Sequence, residues 1–365
     1  MTAKPRVAVF YDWLNQWGGA EKVLLDILQI FPQATVFTLN YHPKKTSWLP
    51  SSIKVIPSFI NHLPLSHQNP IIYTPLYPLA LEKFDFSQFD IVISTTSTVG
   101  HSLLTPPSTL FVCYFHNVNR YLYQTPKQFK FLKPILKHYQ KTDFIYGQRP
   151  DYCLCNSQTV RRRIKSAYNR PAKVIYPGVD TSFFIPKTNP TVSPYFLVVS
   201  RLVEHKKIDL AIRACHQLNQ KLIIVGQGRD YYRLTKLAAQ NSNSQVIFAG
   251  KVSPKKLLSL YQNCQALICP QIEDFGLTPL EAQACGKPVI AFNQGGLTET
   301  VINHQTGVFF DHQTADSLAQ TLAKFDSKNF SPADCVQNAA KFSRKKFMLN
   351  FKQTINQLWL NQTSM

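Results

Sequence analysis

The sequence predicts an α/β protein built from two doubly wound parallel sheets, and three observations support this prediction. The chain has 365 residues, which suits two domains of about 150 to 200 residues each better than one ordinary core. Hydrophobic residues make up 44% of the chain, enough to bury two cores. Short apolar runs alternate with helical patterns along the chain, which is typical of parallel strands covered by helices.

The apolar runs form two sets, and we expect each set to build one sheet. The first set comprises predicted strands at residues 7–11, 35–38, 91–94, 110–114, 152–155 and 173–175. The second set comprises predicted strands at residues 195–200, 221–225, 246–249, 266–269, 288–291 and 307–310. The proline-rich segment 186–194 indicates an extended linker between the two sets.

These patterns divide the chain into three parts. We predict a first domain at residues 1–180 and a second domain at residues 194–340. After about residue 335 the pattern is helical to the end. We therefore expect residues 341–365 to form a terminal helix that packs back on the first domain.

The charge balance and the cysteines narrow the class of protein. Lys and Arg total 40 against 20 Asp and Glu, a net charge of +20, which favours nucleic acid, an anionic membrane surface or phosphorylated substrates as partners. The eight cysteines form no Cys-x-x-Cys pair, so we expect reduced thiols in a cytoplasmic protein rather than a zinc site or disulfides. The N-terminus enters a strand at once and no run of about 18 apolar residues occurs, so we expect neither a signal peptide nor a membrane span.

The segment from Glu273 to Glu281 predicts a phosphate site in the second domain. It follows the predicted strand 266–269, and its Thr278-Pro279 pair is typical of a helix start, with Thr278 as N-cap and Glu281 completing a capping box. The free amides of a helix N-terminus at the carboxyl edge of a parallel sheet bind phosphate readily. Glu281 could instead serve only as a cap, whereas for Glu273 we expect no competing structural role.

Basic and glycine residues follow the neighbouring predicted strands. Arg201 and Lys206 follow strand 195–200 within six residues, where they could reach the same phosphates or simply be solvated. Gly226 begins a short glycine turn, Val225-Gly-Gln-Gly228, which lacks the third glycine of a dinucleotide fingerprint. Alone, that turn is weak support for a nucleotide site.

The segment 273–281 resembles the Glu-x7-Glu signature of family 4 of the retaining glycosyltransferases. Further stretches resemble the same family in the same order: Trp17-Gly-Gly-Ala-Glu21, Tyr114-Phe-His-Asn117, Cys155-Asn-Ser157, Ile175-Tyr-Pro-Gly-Val-Asp180, Ser200-Arg-Leu-Val-Glu-His-Lys206 and Gly295-Gly-Leu-Thr-Glu299. The resemblance implies the GT-B fold, in which two Rossmann-like domains face a central cleft. It also implies transfer of a sugar from a nucleotide-sugar donor to a glycan acceptor.

The resemblance assigns roles to residues of the second domain. Arg201 and Lys206 would neutralise the donor diphosphate, Glu273 would bind hydroxyls of the transferred sugar, and Glu281 would bind the ribose. The amides that would hold phosphate and sugar, together with the turn glycine, are Phe275, Gly276, Leu277, Thr278 and Gly226.

The first domain would contribute His116 and the Gly18-Gly19 loop. By the same resemblance, His116 would contact the transferred sugar, although a structural histidine is the alternative. A pair of glycines lets the backbone approach a diphosphate closely. The family's chemistry usually needs no metal, so we expect no metal and no cofactor. No carboxylate nucleophile is evident in the first domain, which favours a front-face mechanism.

The donor sugar and the acceptor are read from residues 114–173. The stretch 114–121 resembles the mannosyl-transferring branch of the family, which favours GDP-mannose, with UDP-sugars as the alternative. Residues 120–173 carry 13 basic and 2 acidic residues. If residues 127–141 form a helix, its lysines lie on one side and its apolar residues on the other. Pro134 counts against one unbroken helix.

A basic amphipathic helix is typical of an anionic membrane surface, where a lipid-linked acceptor would lie, as in polysaccharide or glycolipid synthesis. A peripheral position on the inner face of the cell membrane would follow. A solvated helix over an ordinary core, a transferase with a soluble acceptor and a sugar-nucleotide epimerase remain alternatives. A nucleic-acid binder would explain the charge but not the ordered motifs, so we expect no nucleic-acid partner.

Overall fold

A computed structural model describes residues 5–68, 70–123, 133–188, 195–241 and 245–363, without the side chains of residues 70, 71 and 133–135. The chain divides into two compact units. The first comprises Met1–Tyr176 together with Phe347–Met365, and the second comprises Pro177–Lys346. Each unit contains one parallel sheet with helices on both faces, which confirms the predicted α/β class and its two doubly wound sheets.

The sheet of the first unit contains the predicted strands and one more. Its strands are β1 (Val7–Leu14), β2 (Thr35–Tyr41), β3 (Val55–Pro57), β4 (Ile91–Thr96), β5 (Leu110–Phe115), β6 (Tyr152–Cys155) and β7 (Lys173–Val174). Their spatial order is β3-β2-β1-β4-β5-β6-β7, and all neighbours pair in parallel. The helices of this unit are α1 (Gly19–Ile30), α2 (Tyr77–Glu82), α3 (Arg120–Tyr123), α4 (Lys133–Tyr146) and α5 (Gln158–Tyr168).

Both faces of this sheet are buried, as the apolar composition of its strands requires. Alternate residues of β1 enter two different core clusters, with Val9 on one face and Phe10 on the other. The terminal helix closes the first of these clusters, because Phe347, Phe351 and Ile355 recur at four-residue spacing and are all buried there.

The second unit repeats the architecture with six strands in its described part. They are β8 (Tyr195–Val199), β9 (Lys221–Val225), β10 (Val246–Gly250), β11 (Ala266–Cys269), β12 (Val289–Phe292) and β13 (Gly307–Phe310), in the order β10-β9-β8-β11-β12-β13. Its helices are α6 (Ile208–Gln217), α7 (Tyr231–Ala238), α8 (Pro254–Asn263), α9 (Leu277–Ala284), α10 (Leu297–Thr300), α11 (Ala315–Lys324) and α12 (Pro332–Lys341). Helix α13 (Arg344–Thr363) begins in this unit and continues into the first.

The strand order of each sheet reverses beside its first strand. In the first unit β1 lies between β2 and β4, and in the second β8 lies between β9 and β11. Loops that leave the carboxyl ends of such neighbouring strands diverge and leave a crevice for a ligand. The candidate residues must therefore be sought at these two edges.

The structure also bears on the expected free thiols and on the expected lack of a membrane span. All eight cysteines are free thiols in buried positions, and burial raises the pKa of thiols such as Cys113 and Cys269. No helix in the described part of the chain is both long enough and apolar enough to cross a membrane.

Candidate active site

The loop between β11 and α9 carries the predicted phosphate site, but its helix begins earlier than the sequence predicts. Gly276 adopts a left-handed conformation with φ +97° and occupies the N-cap position, so α9 begins at Leu277. The prediction that Thr278 caps the helix is therefore wrong. Thr278 and Pro279 are its second and third residues, where a proline costs no hydrogen bond because the first four helical amides have no partner within the helix.

Two glycines from the next loop support the backbone beneath Glu273. The amide of Gly296 donates to the carbonyl oxygen of Glu273 at 2.8 Å. Gly295 has φ +75°, and a Cβ there would lie only 2.5 Å from the same carbonyl oxygen. Only glycine tolerates both this positive φ and this close approach. The Gly295-Gly296 pair therefore fixes the position of the backbone at Glu273.

The two predicted donor-binding residues Lys206 and Glu273 contact each other. Lys206 Nζ lies 2.5 Å from Glu273 Oε1, and the side chains retain 12% and 17% of their exposure. Gln271, which is buried, donates from Nε2 to the same oxygen at 2.8 Å. The two charged residues meet because β8 and β11 are neighbours and both loops leave the same edge of the sheet.

The expectation that Glu273 has no structural role is therefore wrong. Its carboxylate compensates the charge of Lys206. Both side chains remain partly exposed, and the contact of Lys206 with a donor phosphate stays a prediction. Gln271 orients the carboxylate of Glu273. No sequence pattern pointed to Gln271, whose contact with Glu273 depends on the conformation of the loop after β11.

The segment after β8 is held by the glycine turn after β9. Leu202 donates its amide to the carbonyl oxygen of Gln227 at 2.9 Å. Gly226 has φ +140°, and any Cβ there would overlap the carbonyl oxygen of Ser200. The glycine at position 226 thus has a packing reason of its own, while its contact with a donor stays a prediction. Arg201 lies exposed on this segment.

Glu281, the second carboxylate of the motif, is buried rather than placed at the helix start. It is the fifth residue of α9, so the predicted capping box is wrong. Glu281 Oε2 accepts a hydrogen bond from the Tyr261 hydroxyl at 2.8 Å. Burial, and then the negative charge of Glu281, raise the pKa of Tyr261, which keeps the phenol protonated as a donor. The ribose-binding role of Glu281 stays a prediction.

In the first unit, His116 lies at the carboxyl end of β5. The ring is buried, and its Nε2 lies 2.8 Å from the Thr95 hydroxyl oxygen. Its backbone carbonyl oxygen accepts from Asn156 Nδ2 at 3.0 Å. These contacts fix the orientation of the imidazole, which a structural or a sugar-binding histidine would equally require.

The Gly18-Gly19 loop forms the start of α1. Gly18 is the N-cap residue and is extended, with φ −173°, so space rather than conformation favours glycine. A Cβ at Gly18 would lie 3.0 Å from Glu21 Oε2. Glu21 is buried and accepts from the Tyr11 hydroxyl at 2.6 Å, which holds the first turn of α1 against β1.

Asp12 is a buried residue at this edge that the sequence did not single out. Its carboxylate accepts hydrogen bonds from the Thr96 hydroxyl at 2.7 Å, the Ser97 amide at 2.7 Å and the Thr98 amide at 3.1 Å. These bonds order the turn after β4, next to the Thr95 that contacts His116. The sequence signal that could have identified Asp12 is its position as a lone aspartate inside an apolar strand.

Two family models match the chain. The model described as Glycosyl transferases group 1 matches residues 180–342, and the model described as Glycosyltransferase Family 4 matches residues 17–183. Together they cover residues 17–342. The chain belongs to the family 4 glycosyltransferases.

Individual relatives and solved structures agree with this family. The GDP-mannose-dependent alpha-(1-6)-phosphatidylinositol monomannoside mannosyltransferase of Mycobacterium tuberculosis is 30% identical over 204 residues, 49% of this chain and 53% of that protein. The sucrose-phosphate synthase of Thermosynechococcus elongatus has a TM-score of 0.80 at 18% identity, over 98% of this chain and 100% of that one. The Anabaena protein HepE with UDP and glucose has a TM-score of 0.73 at 20% identity, over 97% and 100%.

The two kinds of match carry different weight. The structural likeness confirms that this family 4 glycosyltransferase has the GT-B fold. The chain spans about half the length of the curated relatives that it matches. The substrates of those relatives are therefore not assigned to this chain.

Proposed function

We propose that this protein transfers a sugar from a nucleotide-sugar donor to a glycan acceptor. The observation that carries the proposal is the contact between Lys206 and Glu273 at the carboxyl edge of the second sheet. A cation suited to a leaving diphosphate and a carboxylate suited to a sugar hydroxyl lie side by side there, next to the N-terminal amides of α9. Membership of a glycosyltransferase family supports the same activity.

The charges suggest how the reaction proceeds. The bond between the sugar and the diphosphate breaks with negative charge accumulating on phosphate, and Lys206, Arg201 and the amides at the start of α9 would stabilise that charge. Glu273, oriented by Gln271, would accept hydrogen bonds from the sugar. We propose retention of the anomeric configuration by front-face attack, with a donor phosphate oxygen taking the acceptor proton and no metal required.

We propose GDP-mannose as the donor, with a UDP-sugar as the alternative. The name of the mycobacterial relative supports the first, and the UDP complex of HepE supports the second. A thermal-shift panel of GDP-mannose, UDP-glucose and ADP-glucose separates them, because a selective ligand raises the apparent stability by mass action. A shift with none of the three would refute the proposed donor class.

We further propose that the acceptor is lipid-linked and that the first unit meets an anionic membrane surface through residues 120–173. Part of the basic helix predicted at 127–141 lies outside the described residues. In the described part of α4, Lys137 and Lys141 are exposed, and so are the apolar side chains of Tyr139 (46%), Phe144 (43%) and Ile145 (63%). Exposed apolar and basic groups on one helix suit an interfacial position.

Vesicle flotation tests the membrane proposal. We expect the protein to float with vesicles that contain phosphatidylglycerol at low salt and less in 1 M NaCl, because salt screens the attraction. Phosphatidylcholine vesicles are the control. Absence of flotation with anionic vesicles at low salt would contradict the proposal and favour a soluble acceptor.

A further inference from the structure

A set of donor groups lies at the carboxyl end of β2, in the first unit, apart from the residues discussed so far. Asn40 is the penultimate residue of β2 and pairs in register with Trp13 of β1. Its side chain is fully buried, and its Nδ2 has no hydrogen-bond partner among the described residues. Because a buried amide without a partner is unfavourable, such a group indicates a ligand that is absent from the structure.

The oxygen of the same Asn40 amide contacts a pair of histidines, beside which such a ligand would lie. Asn40 Oδ1 is 3.1 Å from His67 Nδ1, so the ring proton on Nδ1 donates to the amide oxygen. The rings of His67 and His42 meet edge to face with centroids 5.2 Å apart. His42 Nδ1 is also buried and, within the described part of the chain, has no partner. Two unsatisfied nitrogens thus flank one histidine.

The ionisable groups that act on His67 are all bases. Burial lowers the pKa of His67, and the neighbouring His42, Lys45 and His62 lower it further by like-charge repulsion. Lys45 belongs to the turn that follows β2, and His62 belongs to the turn after β3. An anion bound beside these bases would favour their protonated forms.

A metal ion is the other ligand that histidines suggest, but the side chains do not provide for it. Within the residues that the structure describes, no group of three or more His, Cys, Asp or Glu side chains is placed to hold a metal. Asn40 and Lys45 moreover offer N–H donors, which suit an anion with several acceptor oxygens. The chemistry of the set therefore matches phosphate.

We propose that Asn40, His42, Lys45 and His67 form a phosphate site, here called the β2 site, that binds a phosphate group of the acceptor. The site lies at the carboxyl edge of the first sheet, one strand away from β1 and the Gly18-Gly19 loop that follows it. Its assignment to the acceptor rests on the proposed glycosyl transfer. The binding of phosphate itself does not, since it follows from the two nitrogens without partners and the basic side chains beside them.

Titration with inorganic phosphate tests the site directly. The full-length protein is titrated at constant ionic strength, with NaCl as the balancing salt, and the histidine ring resonances are followed by NMR. We expect saturable shifts in the wild type and binding weakened about tenfold or more in Lys45→Glu, as for loss of a charged hydrogen bond. Absence of saturable shifts in the wild type would overturn the proposal.

Lys44→Glu is the matched control, because Lys44 is an exposed neighbour in the same turn and does not contribute to the pKa of His67. It changes the net charge equally, so we expect less than about a threefold effect from the field alone. Equal weakening in Lys44→Glu and Lys45→Glu would overturn the site. Asn40→Ala, checked for an unchanged circular dichroism spectrum, should also weaken binding; unchanged binding would contradict the role of its amide.

Three further ligands identify where the phosphate comes from. Mannose 1-phosphate represents a soluble acceptor and phosphatidic acid vesicles represent a lipid headgroup, and dependence of either on Lys45 supports the site. GDP represents the donor, and its affinity should be the same in wild type and Lys45→Glu. If GDP is the ligand lost, the site belongs to the donor and the proposal fails. If the wild type binds phosphate but no nucleotide-sugar, the proposed function fails while the phosphate site stands.

Discussion

Replacement of Glu273 by Gln separates the observed contact of this carboxylate with Lys206 from its proposed role in sugar binding. The substitution keeps the size of the side chain and an oxygen for Gln271, but it removes the charge that compensates Lys206 at 2.5 Å. Loss of a hydrogen bond between charged groups costs about 1.5–3 kcal/mol. Because both side chains retain some exposure, we expect about 1.5 kcal/mol, or about 3–6 °C in the melting temperature of a unit of this size.

Binding of the nucleoside diphosphate and turnover of the nucleotide-sugar should respond differently to this substitution. Without its carboxylate partner, Lys206 is available to phosphate, so we expect the Kd for GDP or UDP to be unchanged or lower. The sugar, however, loses an acceptor that binds more strongly as charge develops, so kcat should fall about 10²–10³-fold. Isothermal titration with the nucleoside diphosphate and a turnover assay with the nucleotide-sugar measure the two quantities on one preparation.

Glu204→Gln is the control, because Glu204 is an exposed carboxylate in the same turn as Lys206. It should leave the melting temperature, the Kd and kcat within experimental error. The reasoning would be refuted if Glu273→Gln weakened nucleoside diphosphate binding as much as it reduced turnover. Such a result would mean that the carboxylate only maintains the shape of the loop.

Three further substitutions test the surroundings of the site. Gly295→Ala should destabilise the second unit by about 1–3 kcal/mol or more in urea unfolding, because the added Cβ would meet the Glu273 carbonyl oxygen. Gly250→Ala is the control and should lower the free energy of unfolding by less, because Gly250 also has a positive φ but has open space around its Cβ. Asp12→Asn should cost about 1–3 kcal/mol in the first unit, because four hydrogen bonds from residues 96–99 converge on its carboxylate; an unchanged unfolding midpoint would contradict this. Tyr261→Phe should cost about 1.5–3 kcal/mol by leaving the buried carboxylate of Glu281 without that donor, and equal stability to wild type in the same assay would show that the bond contributes nothing.

The sequence predicted the strands because their apolar runs are long enough to be buried on both faces. Strand β3 was missed, since it has three residues, all half-buried, and ends in a proline. The start of α9 was misplaced because Gly276, through its left-handed conformation, let the helix begin two residues before Pro279. Residue conformation of that kind depends on the packing of the loop, which a sequence pattern does not contain.

The candidate site shows the same limit at longer range. Arg201, Lys206 and Glu273 were identified because they follow strands, but the contact between Lys206 and Glu273 joins residues 67 positions apart. Only the order of the strands makes β8 and β11 neighbours. Asn40 and His42 are similar, because each was singled out by a buried nitrogen without a partner among the described residues, which becomes visible only when burial and hydrogen bonds are known.

The two carboxylates of the Glu-x7-Glu motif are therefore held in physically different ways. Glu273 is partly exposed and balanced by Lys206, so under the proposed function a diphosphate would take over Lys206 while the carboxylate keeps some solvation. Glu281 is buried and bound to a neutral phenol, which stabilises its charge without neutralising it. The first arrangement suits a group that exchanges partners during turnover, and the second suits a group that keeps one orientation whether or not the donor is bound.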